Sequence, residues 1–104
     1  MSEREQYLGY FRMSILARGL EYYRAGNVRN LKPITEDVIS AHVEGSEDTG
    51  YQVRIDLQRP HLSSCGCAFA SKDMMCKHMA AVYFAAYPEE ADRFEKYLGG
   101  PEEV

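Results

Sequence analysis

The sequence is poor in the features that mark several specialised protein classes. Its three cysteines cannot all pair with one another, which argues against a disulfide scaffold and for a reducing, cytoplasmic setting. The longest wholly apolar run, Met79 to Tyr87, is far too short to cross a bilayer, so no membrane partner is expected. The leading residues Met-Ser-Glu-Arg-Glu-Gln offer no basic start followed by an apolar stretch, and no signal peptide is expected. Basic charge is not in excess either: 12 Lys and Arg against 16 Asp and Glu leave −4, unlike the basic balance of a dedicated nucleic-acid binder. No phosphate-cradling glycine loop, paired-carboxylate site, internal repeat or low-complexity tract is readable. Neither enzyme activity nor a small-molecule substrate is therefore expected.

What remains is an ordinary globular composition, 45% apolar and 27% charged, over 104 residues, enough for one domain. The charge is unevenly spread. Residues 1–35 carry +3 and residues 59–78 carry +2, whereas 36–58 carry −5 and 79–104 carry −4.

Periodicity divides the chain into elements. Ser2 with Glu5 has the form of a capping box for a short leading helix, which Gly9 weakens. Met13, Leu16, Leu20 and Tyr23 fall on one helical face, and Gly26-Asn27 suits a helix end, so a helix is predicted over about 14–25. Val28 to Ile34 is a short extended run with Pro33 marking an edge or an end. Ile39, Ala41 and Val43, then Tyr51, Val53, Ile55 and Leu57, alternate with polar residues around a Gly45–Gly50 turn, the period of two antiparallel strands. A helix from near Cys76 to Tyr87 should turn Met79, Val82, Tyr83 and Ala86 inward. Pro88-Glu89-Glu90 opens an acidic helix with Phe94, Tyr97 and Leu98 as its apolar contacts, stopped by Gly99-Gly100-Pro101. The expected class is α+β: an N-terminal helix, a small antiparallel β-meander of two or three strands, a metal-binding loop and C-terminal helices. The domain is placed at 14–98, between a flank (1–13) and a tail or linker (99–104).

All three cysteines and one histidine lie within fourteen residues, as Cys65-Gly66-Cys67 and Cys76-Lys77-His78. Three thiolates and one imidazole are a closed tetrahedral set for one structural Zn²⁺, with no position left open for chemistry. Residues two apart on extended backbone point the same way, so Cys65 and Cys67 can share a metal. On a helix, residues two apart lie about 200° round the axis, so Cys76 and His78 cannot both ligate from mid-helix. Cys76 must therefore sit where the helix starts, a position that also favours a thiolate. Ser71 and Asp73 are candidate caps just upstream. A Cys76–His78 nucleophile and base is disfavoured for want of a third, orienting group. His61 is a weaker substitute ligand in a loop, and His42 should face solvent.

The Cys-x-Cys, loop, Cys-x-His order resembles the SWIM zinc finger. The resemblance extends to Arg18–Val28 as the preceding helix, to Ala41–Ser46 with Tyr51–Ile55 as two strands, and to Cys76–Val82 as the ligand helix. Ala68 departs from it, where many members have proline. The resemblance implies a non-catalytic zinc module of a larger protein, as in bacterial members attached to Swi/Snf-type helicase-like ATPases. Its implied role is engagement of DNA or, alternatively, docking to a protein partner or to the attached motor domain.

Any contact with DNA would be weak and non-specific, drawn from Arg18, Arg24, Arg29, Lys32, Arg59, Lys72 and Lys77 in the two positive segments. These cations are expected to pool into one patch, with the acids of 36–58 and 79–104 turned elsewhere. Tyr23, Tyr51 and Tyr83 fall on inward faces and are expected to pack the core rather than stack on bases.

Overall fold

The computed structural model describes residues 3–44, 50–66 and 75–99. Its elements are α1 (Glu3–Leu8), α2 (Met13–Arg24), β1 (Val28–Pro33), β2 (Val38–Val43), β3 (Tyr51–Asp56), a 3₁₀ turn (Pro60–Leu62), β4 (Ser64–Cys65), α3 (Lys77–Ala86) and α4 (Pro88–Gly99). The fold is α+β, and the four strands form one antiparallel sheet in sequential order, a meander. The meander has four strands where two or three were expected. β4 is only two residues long and owes its pairing to β3, a dependence that periodicity cannot register.

Helix α2 ends where Gly26 takes a left-handed φ of 80°. Asn27 N–H donates to Tyr22 C=O and Gly26 N–H to Tyr23 C=O, the paired bonds of a Schellman end. Leu16, Gly19 and Leu20 form its buried face. Met13, expected on that face, lies on the first turn and is exposed.

The inner face of the sheet follows the predicted alternation. The pairs Ile39↔Ile55, Ala41↔Val53 and Val43↔Tyr51 share it, and Val53↔Cys65 extends it to β4. Strand β1 is an edge with a register shift between Arg29 and Lys32, and Asn30 stands there at a φ of 56°. The bulge and Pro33 blunt that edge against further pairing.

Helix α3 is the centre of the molecule, touching α2, α4 and all four strands. Every residue from His78 to Phe84 is buried, so α3 has no solvent face and no single inward stripe. Only a helix enclosed on all sides behaves so. Its closest neighbour is α2: a Cβ placed on Gly19 would lie 2.4 Å from Ala80 Cβ. On α4, Ala91 and Phe94 are buried, while Tyr97 is exposed. Leu98 and the Ser2–Glu5 cap lie outside the described side chains.

The leading helix belongs to the core. Tyr7 and Phe11 are buried in it, so the core reaches back past the boundary expected at residue 14. The Tyr7 hydroxyl hydrogen-bonds Ser63 Oγ at 2.9 Å, and burial pushes its phenol well above the ordinary tyrosine range, keeping it neutral. Ser63 Oγ also accepts the Asp56 N–H at 3.0 Å. Asp56 Oδ1 in turn accepts the N–H groups of Gln58 and Arg59. This chain of bonds folds residues 56–63 into a tight turn and delivers β4 to the edge of β3. No helix among the described residues is long and apolar enough to cross a membrane.

Candidate metal centre

Two elements bring the ligand-type residues together. Cys65 sits on β4 opposite Val53, on the sheet face that α3 covers. Cys76 is the N-cap of α3 in extended backbone, φ −105° and ψ 169°, and His78 follows on the first turn. The off-helix conformation at Cys76 removes the 200° separation that a regular helix would impose. Both side chains can therefore face β4.

The three side chains stand close enough together to share one metal ion. His78 Nδ1 lies 3.6 Å from Cys65 Sγ and 3.9 Å from Cys76 Sγ. The three ligand atoms all lie within 4.8 Å of one another. A tetrahedral ion bonded to sulfur at about 2.3 Å and to nitrogen at about 2.0–2.1 Å sets its ligand atoms about 3.5–3.8 Å apart. The two sulfur–nitrogen distances lie close to that spacing. Cys76 and His78 are buried and Cys65 is half-buried, so the centre sits at the rim of the core. Cys65 and Cys76 are not in a disulfide. Cys65, Cys76 and His78 thus form a cluster that could hold a metal ion. Cys67, the fourth expected ligand, lies outside the described residues, as do Ser71 and Asp73.

The other histidines stand apart from this cluster. His61 is exposed on the 3₁₀ turn, and His42 is half-buried on β2.

Sequence reasoning missed what surrounds the imidazole. The Tyr51 ring lies 4.9 Å from that of His78, and the Tyr22 ring meets it edge-on at 5.3 Å and 87°. Lys77 Nζ lies 5.4 Å from the centre of the Tyr22 ring. Tyr51 is half-buried, and its place beside His78 could be found only once β3 and the start of α3 were known to meet.

The acids do not stay clear of these cations as expected. Arg24 is ion-paired to Asp92 at 2.8 Å and also to Glu95, so the acidic C-terminal segment turns toward α2 rather than away from it. These two carboxylates raise the pKa of the Arg24 guanidinium, chiefly through the hydrogen bond that Arg24 donates to Asp92. The cause is the packing of α4 on α3, which carries its acidic face to the C-terminal end of α2. Arg18 pairs with Glu21 at 3.5 Å, and Arg29 with Glu44 at 3.2 Å. Among the described residues, Lys32, Arg59 and Lys77 have no ion pair, and Lys72 lies outside them.

No known protein family, no curated protein and no solved structure matches this chain.

Proposed function

We propose that this chain is a non-catalytic zinc-binding module of the SWIM type. One structural Zn²⁺ is held by Cys65, Cys67, Cys76 and His78, in a reducing compartment and as part of a larger protein. The observation that carries the reading is the meeting of two sulfurs and one imidazole nitrogen within 4.8 Å of one another on the rim of the core. Support for zinc over other ions comes from the soft thiolate and imidazole donors. Protein purified without chelator should contain close to one zinc per chain by elemental analysis. His78→Ala should abolish that content and His61→Ala should leave it unchanged. Metal-free protein of undiminished stability would sink the proposal.

For the partner, the leading reading is assistance in engaging DNA. Its cations would be Lys32, Arg59, Lys72 and Lys77, since Arg18, Arg24 and Arg29 are ion-paired. If each of the four meets one phosphate, the logarithm of affinity should fall with log salt at a slope near −3.6, from counterion release. Affinity at physiological salt should be about 10⁻⁴–10⁻⁶ M, the non-specific range. A titration with short duplex and single-stranded DNA at increasing salt measures both quantities.

A specific observation favours the second reading, docking to a protein or to an attached helicase-like ATPase. Leu31 and Ile34 are exposed at the β1 end, and Leu31 lines a mainly apolar groove of about 230 Å³ with Pro33, Thr35, Glu36, Ile39, Ala86 and Tyr87. DNA binding that is absent, or indifferent to salt and to reversal of Lys72 and Lys77, would decide for docking.

A further inference from the structure

His78 has two nitrogens, and only one can face the sulfurs. Both close approaches run to Nδ1, at 3.6 Å from Cys65 and 3.9 Å from Cys76. The backbone explains the choice. Cys76 is the N-cap and His78 stands only two residues on, so the two ligand atoms must meet close to the main chain. Nδ1 is bonded to the ring carbon next to Cβ, whereas Nε2 lies at the far side of the ring and would overshoot. A half-turn about χ2 would be equally unproductive, because it presents a carbon, Cδ2, where Nδ1 had been.

The ring is held against that half-turn. Tyr51 lies against it at 4.9 Å with an interplanar angle of 43°, and Tyr22 closes it edge-on at 5.3 Å. The two tyrosines come from β3 and α2, separate elements that each pack on α3. His78 keeps only 4% of its surface exposed.

We infer that His78 binds the metal through Nδ1 and that Tyr22 and Tyr51 are positioning residues which hold the imidazole in that one orientation. The inference rests on the zinc reading above and specifies the atom through which it works. With Nδ1 engaged, the proton stays on Nε2, the tautomer opposite to that of an Nε2 ligand. The tyrosines touch no metal. They act by keeping the ligand in its competent rotamer before the metal arrives, which lowers the ordering cost of binding.

The test uses the full chain, with zinc as the probe and long-range proton–nitrogen NMR of the ¹⁵N-labelled imidazole as the readout. Zinc loading should move Nδ1 to the shift of a metal-bound nitrogen and leave Nε2 as an N–H. Zinc bound through Nε2 would overturn this inference and leave the zinc reading standing; failure to bind zinc at all would overturn both. Tyr51→Ala and Tyr22→Ala should each weaken zinc binding about tenfold, by competition with a chromophoric chelator, and add a second imidazole orientation. Tyr51→Phe and Tyr22→Phe should restore the parent affinity and spectrum, because the ring and not the hydroxyl does the holding. Alanine variants that match the parent in both readouts would overturn the positioning role. Should they fail to fold, the unsubstituted protein still decides the ligand atom, and Tyr51→Leu and Tyr22→Leu, which keep apolar bulk without a flat ring, decide the role of the rings by the same two readouts.

Discussion

Removing zinc from the purified chain is expected to free β4 and the first turn of α3 while the β2–β3 ladder stays closed. The reason is the division of labour within the core. Strand β4 has two residues and one short pairing to β3, far too little to hold itself in place. Strands β2 and β3 share six register pairs and an apolar face packed on α3. Binding of a structural zinc contributes about 10–16 kcal/mol in small finger peptides at neutral pH, as much as the whole net stability of a typical domain, about 5–15 kcal/mol. Amide exchange after chelation should therefore rise steeply at residues 64–66 and 76–79 and little at 39–43 and 53–55. Equal protection throughout would refute the coupling.

Cys76→Ser sharpens this experiment. Serine is a good N-cap, so if Cys76 only started α3 the substitution would be neutral or would stabilise the helix by about 1 kcal/mol. If Cys76 is a ligand, zinc is lost and the melting temperature falls with it. The second outcome is expected. Acid should release the metal as well, since the thiolates and the imidazole nitrogen must be deprotonated to bind.

Gly19→Ala is expected to lower the melting temperature by roughly 8–16 °C, the shift that about 2 kcal/mol produces in a domain of this size. In a solvated helix the same change would help, by about 1 kcal/mol of helix propensity. Here the new methyl would stand 2.4 Å from Ala80 Cβ and 3.0 Å from both Ala81 N and Lys77 O. Two of those three atoms are backbone and cannot swing aside, so α2 must lift off α3, an overpacking that costs about 1–3 kcal/mol or more. Ala80→Gly in the same chain should recover part of the loss, because it removes the worst contact and leaves the two backbone ones. Zinc affinity should fall in parallel, since Tyr22 lies one turn beyond Gly19 on the helix that would move. An unchanged melting temperature would show that α2 and α3 are not in such close contact.

Much of the fold was legible because its signals are local. The end of α2 at Gly26, the alternation of β2 and β3 and the start of α3 beside Cys76 each depend on a few neighbouring residues. The geometric argument that Cys76 must precede the helix holds in the structure, because the 200° problem belongs to any helix whatever surrounds it. Less legible were Met13 and Tyr97, placed inward by helical spacing and found exposed. Spacing identifies a face of a helix, but how far along that face the neighbouring element extends depends on the neighbour.

By itself, then, the sequence determined the α+β order of elements, the grouping of thiol and imidazole side chains and the off-helix place of Cys76, all set by short-range backbone and side-chain geometry. Only the tertiary structure decided the rest. It enclosed α3 on every side, drew Tyr7 and Phe11 into the core, and brought Tyr22 and Tyr51 against His78. It also turned Arg24 toward Asp92 and Glu95, 68 and 71 positions away, where the sequence had suggested a shared basic patch. Those outcomes depend on which distant surfaces meet, and burial and charge pairing act between surfaces whatever their separation along the chain.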